Sequence, residues 1–502
     1  VRTLSANRVL APLLVVIALG AVYGLAAYSH ATTLGAGTQV LPPRSAAAMS
    51  VVRACPSLGL VGSAATDVAL VAAPATAGRG QAVVSRLGGT AGNPALHSLT
   101  SPGQLSVRSV RAAAAVHHAA PAASGSRQFS TVAAPGGVVV QASGSMARGL
   151  EVEQIAAGIP TARCESPGTD FWFVGPGQRG AARIQLFLVN AGSQPADVNV
   201  EVSTDAGPLQ GSTDTGIAVA PHSMVIQSLA TVLHGSRVVA LHVRTSVGQV
   251  VAAVREATGA GGGGAWLPAA QTPATRVVLP GLPATAGTRQ LFVAVPGTQD
   301  AHLKLTAVTS KGSYQPTGSS GLDIPGGSAA TIVLPSLSGV PAALKLTSNV
   351  PVTASAMLSG GSAGAPGVFT AASLPLQEQG VVAYNKAGGG SASQLVLSAP
   401  GRAVRARITE IGTTGAPGTP QIVQIRAGHS LVAQLGKGGG SGRRSAFSVV
   451  ITPLAGSGPL YAGRVVTGSG TGGKVQSLLP VISALTTVPL PHVQDGSITT
   501  VP

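Results

Sequence analysis

Apolar and polar residues alternate in short runs along most of this chain, and the pattern returns about once every hundred residues. The clearest run is ADVNVEVST, from Ala196 to Thr204. Val198, Val200 and Val202 share one side; Asp197, Asn199 and Glu201 share the other. That period of two belongs to a strand with one buried face. Gly, Pro and Ser clusters separate the runs and supply the turns. Three blocks open on similar words: Gln185-Leu186-Phe187, Gln290-Leu291-Phe292 and Gln394-Leu395-Val396.

The spacing divides the chain. A β domain spans 52–172, with strand candidates at Asp67–Val71, Gln81–Val84, Gln104–Val107 and Gly137–Val140. Low-complexity stretches near 88–103 and 112–127 read as loops. The second block covers 173–280, the third 281–382 and the fourth 383–490, with a short tail at 491–502. In the third, Leu303–Val308 repeats the alternating strand and Phe369 stands near the place of Trp266. About seven short strands per hundred residues predict an all-β fold of tandem immunoglobulin-like β-sandwich repeats. The competing architecture is a β-propeller with two blades per period.

Val9 to Tyr28 (VLAPLLVVIALGAVYGLAAY) carries no charge and is long enough for one transmembrane helix. Arg2 and Arg8 precede it and predict a cytoplasmic tip, with the rest exported. Residues 1–31 then form a signal anchor and 32–51 a Pro/Ala/Ser linker. The alternative is secretion after cleavage at Ala31, behind Ser29-His30-Ala31. The two cysteines agree with export. Cys55 and Cys164 flank the first block, and in an oxidising compartment they are expected to form a disulfide.

Charged residues make up 9% of the chain, against roughly a quarter in ordinary soluble proteins. With 45% hydrophobic residues the chain can still build cores rather than stay disordered. The net charge of +16 comes almost wholly from arginine. It favours anionic partners, although a genome-wide preference for arginine codons produces the same excess.

The segments CPSLGLVG (from Cys55) and CESPGTDFWFVG (from Cys164), with LFLVN, VNVEV, VAPHS and VVAAV in that order, resemble an uncharacterised family of actinobacterial secreted or membrane-anchored proteins. That family carries only a domain-of-unknown-function label. Some members are encoded near envelope glycosyltransferases, so the resemblance implies work in the cell envelope. It supplies no catalytic residues.

Motifs with chemistry are sparse. Gly175 to Gly180 fits GxGxxG, but a strand-like run follows where a dinucleotide site needs a helix. Gly468 to Lys474 lacks the Ser/Thr of a P-loop, and Gly360 to Gly364 fits GxSxG inside a Gly-rich loop. His117-His118 has no third ligand nearby. His222 and His429 occupy similar turn positions. Asp205 with Asp214, and Glu151 with Glu153, have no setting that marks a glycosidase pair. No cofactor or metal site is expected.

The weightiest constellation is basic. Between Lys386 and Lys474 lie Arg402, Arg405, Arg407, Arg426, Lys437, Arg443, Arg444 and Arg464, with Glu410 the lone acid. Arg405 and Arg407 share a strand face. Such a patch can grip phosphate or carboxylate groups, or it only solubilises the surface. Export and the lack of interleaved aromatics argue against nucleic acid. The expected function is a non-enzymatic envelope protein, anchored in the membrane, that binds an anionic wall polymer, a glycan or an envelope protein. Alternatives are an accessory scaffold for a membrane glycosyltransferase and, last, a divergent secreted hydrolase.

Overall fold

Short Val-, Ala- and Leu-rich strands closed by Gly and Pro turns fold here into eight-strand blocks of one repeated topology. The computed structural model describes residues 16–25 and, with interruptions, 45–490. The interruptions are 57–65, 75–77, 89–94, 111–129, 134–136, 157–158, 180, 182, 210–213, 231, 258–263, 285–286, 320, 335–336, 338, 360–366, 437–445 and 469–474. Residues Ala47–Thr487 form one unit, and Val1–Ala46 with Val488–Pro502 form another.

In the terminal unit, residues 16–25 are helical, about 15 Å of helix. Among the described residues no helix is long and apolar enough to cross a membrane. The rest of the expected span, 9–15 and 26–28, lies outside the described residues, as do the cleavage site at Ala31 and most of the linker. The linker's end is not spacer, because Ser45–Ala47 is a strand paired with Thr487–Pro489.

The larger unit is nearly all β, built from small antiparallel sheets. In the second block the strands are, in chain order, Asp170–Pro176, Arg183–Asn190, Ala196–Thr204, Asp214–Val219, Ser223–Ser228, Val238–Val247, Val251–Ala257 and Gly264–Leu267. One sheet places the first beside the sixth, then the third, then the fourth. The other runs eighth, seventh, second, fifth. The fourth block repeats both orders with Gly380–Lys386, Ser391–Ala399, Val404–Ile411, Gln421–Ile425, His429–Gln434, Ala446–Pro453, Tyr461–Gly468 and Val475–Val481. In the third, Ala342–Ser359 serves as both sixth and seventh strand, so its two sheets join into one.

The first block, irregular in sequence, has the same eight strands. Four of them escaped the sequence pattern: Ser50–Cys55, Ala95–Leu99, Glu151–Ala156 and Ile159–Arg163. Ala95–Leu99 therefore corrects the loop expected at 88–103. The other expected loop, 112–127, lies outside the described residues. Just after it, Ser130–Ala133 leaves the first block and adds an edge strand to the second, beside Ser223–Ser228. A propeller blade keeps consecutive strands adjacent. The interleaved order seen here rules that description out.

Each block has its own core between its two sheets. Each also presents a second apolar surface to its neighbour, and the QLF word shows how. Leu186, Leu291 and Leu395 enter their own cores, while Phe187, Phe292 and Val396 point the other way, into the joint with the preceding block. At three joints, the first strand of one block lies across the second and seventh strands of the next. Asp170–Pro176 packs on the third block, Ala274–Leu282 on the fourth, and Gly380–Lys386 back on the first. Ala54 of the first block meets Phe187 and Trp266 of the second. The four eighth strands, Ile159–Arg163, Gly264–Leu267, Val368–Ala371 and Val475–Val481, touch one another in turn and complete the circuit.

One seventh-strand position sits in all four joints. It is the residue paired with Ala69, Phe187, Phe292 or Val396, namely Glu153, Ala253, Ser355 or Gly463. Ser355 donates its hydroxyl to the carbonyl of Val174. Gly463 lets two backbones meet, since a Cβ there would lie 2.3 Å from the Cα of Gly281. A turn position is repeated as well. His222 (φ 50°), Gly327 (φ 73°) and Gly428 (φ 72°) precede the fifth strands with left-handed backbones. His222 therefore corresponds to Gly428, and not to His429 as its sequence setting suggested.

Cys55 and Cys164 form a disulfide with a Cα separation of 4.5 Å. It ties the end of the first block's first strand to the residue after its last. Replacing both with Ala frees a loop of 109 residues in the unfolded state and is expected to cost about 4–5 kcal/mol, read as a lower denaturation midpoint. Gly463→Ala is expected to cost about 1–3 kcal/mol by overpacking the third joint. Gly297→Ala, with open space at its Cβ, is the control in the same thermal melts.

Candidate functional site

Alternation along Val404–Ile411 buries Val404, Ala406 and Ile408 and leaves Arg405 and Arg407 exposed on one face, as the period of two predicted. Their neighbours on the sheet's edge strand are Gln424 and Ile422, both exposed. Arg402 and Arg426 are exposed at the end of the sheet where Val404 pairs with Ile425. Arg402 donates weakly to the Ser457 carbonyl, at 3.5 Å. The lone acid of the region does not neutralise this face. Glu410 is half-buried and accepts the Gly436 N–H at 2.7 Å. Lys437, Arg443 and Arg444 lie outside the described residues.

Arg464 does not belong to that face. It is wholly buried at the joint between fourth and first blocks, within a network that the sequence did not reveal. Its Nη1 donates to the Tyr384 carbonyl at 2.5 Å and stands 3.4 Å from Glu153 Oε2; its Nη2 donates to Ser477 Oγ at 3.0 Å. Glu153 Oε1 accepts the backbone N–H groups of Ala383 at 2.9 Å and Tyr384 at 3.4 Å. Beside it, Arg163 donates to Glu151 and to the Pro480 carbonyl of the fourth block. Arg53 donates to the Leu150 carbonyl and to Ser166 Oγ at 2.7 Å.

Burial governs the titration of these groups. It pushes the Glu153 carboxyl up, against the pull of Arg464, and pushes the Arg464 guanidinium down. Burial also works to lower Arg163, but Glu151 and Glu165 outweigh it and hold that guanidinium above its ordinary value. Glu165 is raised by burial, against Arg163 and Arg53. Glu151 and Glu153, weighed as a glycosidase pair, each face an arginine instead. Through Arg163 and Arg464 the arrangement ties the first block to the fourth.

Next to the network is a cavity of about 90 Å³, lined by Arg163, Glu165, Phe173, Trp266, Pro268 and Leu479 from three blocks. It has room for a few waters. Trp266 packs tilted against Phe187 with ring centroids 5.2 Å apart. On the outer face of the second block, Trp172 stacks on His242 at 3.8 Å, and the two His242 nitrogens stand 3.1 Å from Asp170 and from Glu201. This braces three adjacent strands. Among the described residues, no group of three or more His, Cys, Asp or Glu could hold a metal ion. His117-His118, the GxSxG segment and the P-loop-like segment after Gly468 lie outside the described residues.

The chain belongs to a family of unknown function (DUF5719), whose model matches residues 112–436. That span takes in Glu151, Glu153, Arg163 and the exposed Arg402, Arg405, Arg407 and Arg426. It ends before Arg464. No curated protein matches the chain.

Arg464→Met is expected to lose about 3–5 kcal/mol, because Glu153 is left buried without its cation. The double replacement Glu153→Leu with Arg464→Met should recover part of that loss: no charge is left buried, but the Ala383 and Tyr384 N–H groups and the Tyr384 carbonyl lose their partners. Denaturant melts of the two single variants and the double form the cycle that checks it.

Proposed function

We propose that this chain is a non-enzymatic, extracytoplasmic envelope protein that holds an anionic polymer or glycan on the exposed arginine edge of its fourth block. The four sheet pairs are read as immunoglobulin-like sandwiches. The apolar N-terminal stretch is read as their membrane anchor, with secretion after Ala31 as the alternative. The observation that carries the reading is the pair Arg405 and Arg407, side by side and exposed on a strand next to the open edge Gln421–Ile425. Two guanidiniums one pleat repeat apart, about 7 Å, meet successive anionic groups of an extended chain. Arg402 and Arg426 extend the positive surface at one end. The disulfide fits an oxidising compartment.

The test is cosedimentation of the full protein with an isolated anionic wall polymer. Binding should weaken as salt rises. Arg405→Gln and Arg407→Gln should each weaken it about tenfold, the value of one charge-assisted hydrogen bond. Binding that ignores both substitutions and salt removes the arginine edge as the site. Recovery of a glycosyltransferase from solubilised membranes, without polymer binding, replaces the reading with an accessory role.

A further inference from the structure

Glu256 is a buried acid that nothing among the described residues satisfies. It lies next to the end of the strand Val251–Ala257 and is 1% exposed. Neither carboxylate oxygen has a hydrogen-bond partner. Its position faces the joint with the third block. A methyl group added to Gly367 would lie 3.7 Å from Glu256 Oε1 and 2.9 Å from Met357 Sδ. Met357 packs on the core of the second block, and Phe369 is part of that core. The carboxyl is therefore closed in by the apolar contact that joins the two blocks.

The elements around it bring no cation to it. Ile184 and Ala265 flank it in the sheet. Arg183 is paired with Ala257 and acts on Arg255, while Lys345 sits at the far end of the strand that carries Met357. Burial is the single cause acting on Glu256, and it pushes the carboxyl up to about 7. The two buried acids of the equivalent strand in the first block each have an arginine, Glu151 with Arg163 and Glu153 with Arg464, and Glu153 has two backbone donors besides.

We propose that Glu256 makes the joint between the second and third blocks responsive to pH, closed when the carboxyl is protonated and loosened when it ionises and must be hydrated. The direction follows from linkage. An acid whose value is higher in the closed state than in the open one binds its proton more tightly when closed. Closure is then most favoured below about pH 4.5, weakens as pH rises to about 7, and levels off above that. A shift of that size corresponds to roughly a 300-fold change in the opening equilibrium.

Hydrogen exchange of the full chain, corrected for the intrinsic effect of pH, tests this. Amides of Val251–Ala257 and Val368–Ala371 should open roughly 150-fold more often at pH 8.5 than at pH 4.5, where the open-state carboxyl is already half ionised. Those of Ala446–Pro453 should not follow. Glu256→Gln should flatten the response, and identical profiles in the two proteins overturn the proposal. Should that variant fail to fold, the Glu256 carboxyl carbon resonance of the unaltered protein decides. A midpoint near 7 supports the proposal, and one in the ordinary glutamate range overturns it.

Discussion

Every block must cover the outer face of its second and seventh strands, and the cover comes from a neighbouring block. A sheet buries its inner face within its own sandwich. Here the other face is apolar too, with Phe187, Phe292 and Val396 on it. Left open, that face would expose a contiguous apolar patch. The cover comes from the preceding block three times, and for the first block it comes from the fourth. Closure of the circuit is thus a condition of burial, and the four eighth strands meet in turn around it.

The four joints solve one packing problem with four chemistries. Ala253 makes plain contact, Ser355 gives a hydroxyl to a carbonyl, and Gly463 withdraws to let backbones touch. Glu153 instead takes two backbone donors and an arginine. The ionic joint is the one that brings together the ends of the chain. A buried ion pair adds little net stability but tolerates few alternative pairings. That suits a joint which must choose its partner over the three similar surfaces of the other blocks.

The strands of the second block were legible because ADVNVEVST and its kin alternate cleanly. The QLF word was legible as a repeat, but its meaning was not: alternation says which residues share a face, and not that both faces are covered. The first block hid half its strands because SVVRAC and EVEQIA carry arginine and glutamate on buried faces, which breaks the apolar period. The same residues concealed the network. Glu151, Glu153, Arg163 and Glu165 crowd into fifteen positions of a chain poor in charge, and that density was the available signal. Arg405 and Arg407 were placed correctly by period alone. Arg464 was grouped with them because charge in sequence does not tell surface from joint.

The chain is made from its amino end, and Arg464 follows Glu153 by three blocks. Until it arrives, the first block holds Glu153 without its ion-pair partner and Ala69 with no cover, so three finished blocks are still an incomplete molecule. A ribosome that stops early, or a protease that trims the carboxyl end, leaves an acid stranded on a greasy surface. An exposed apolar face of that kind makes an incomplete chain prone to aggregation.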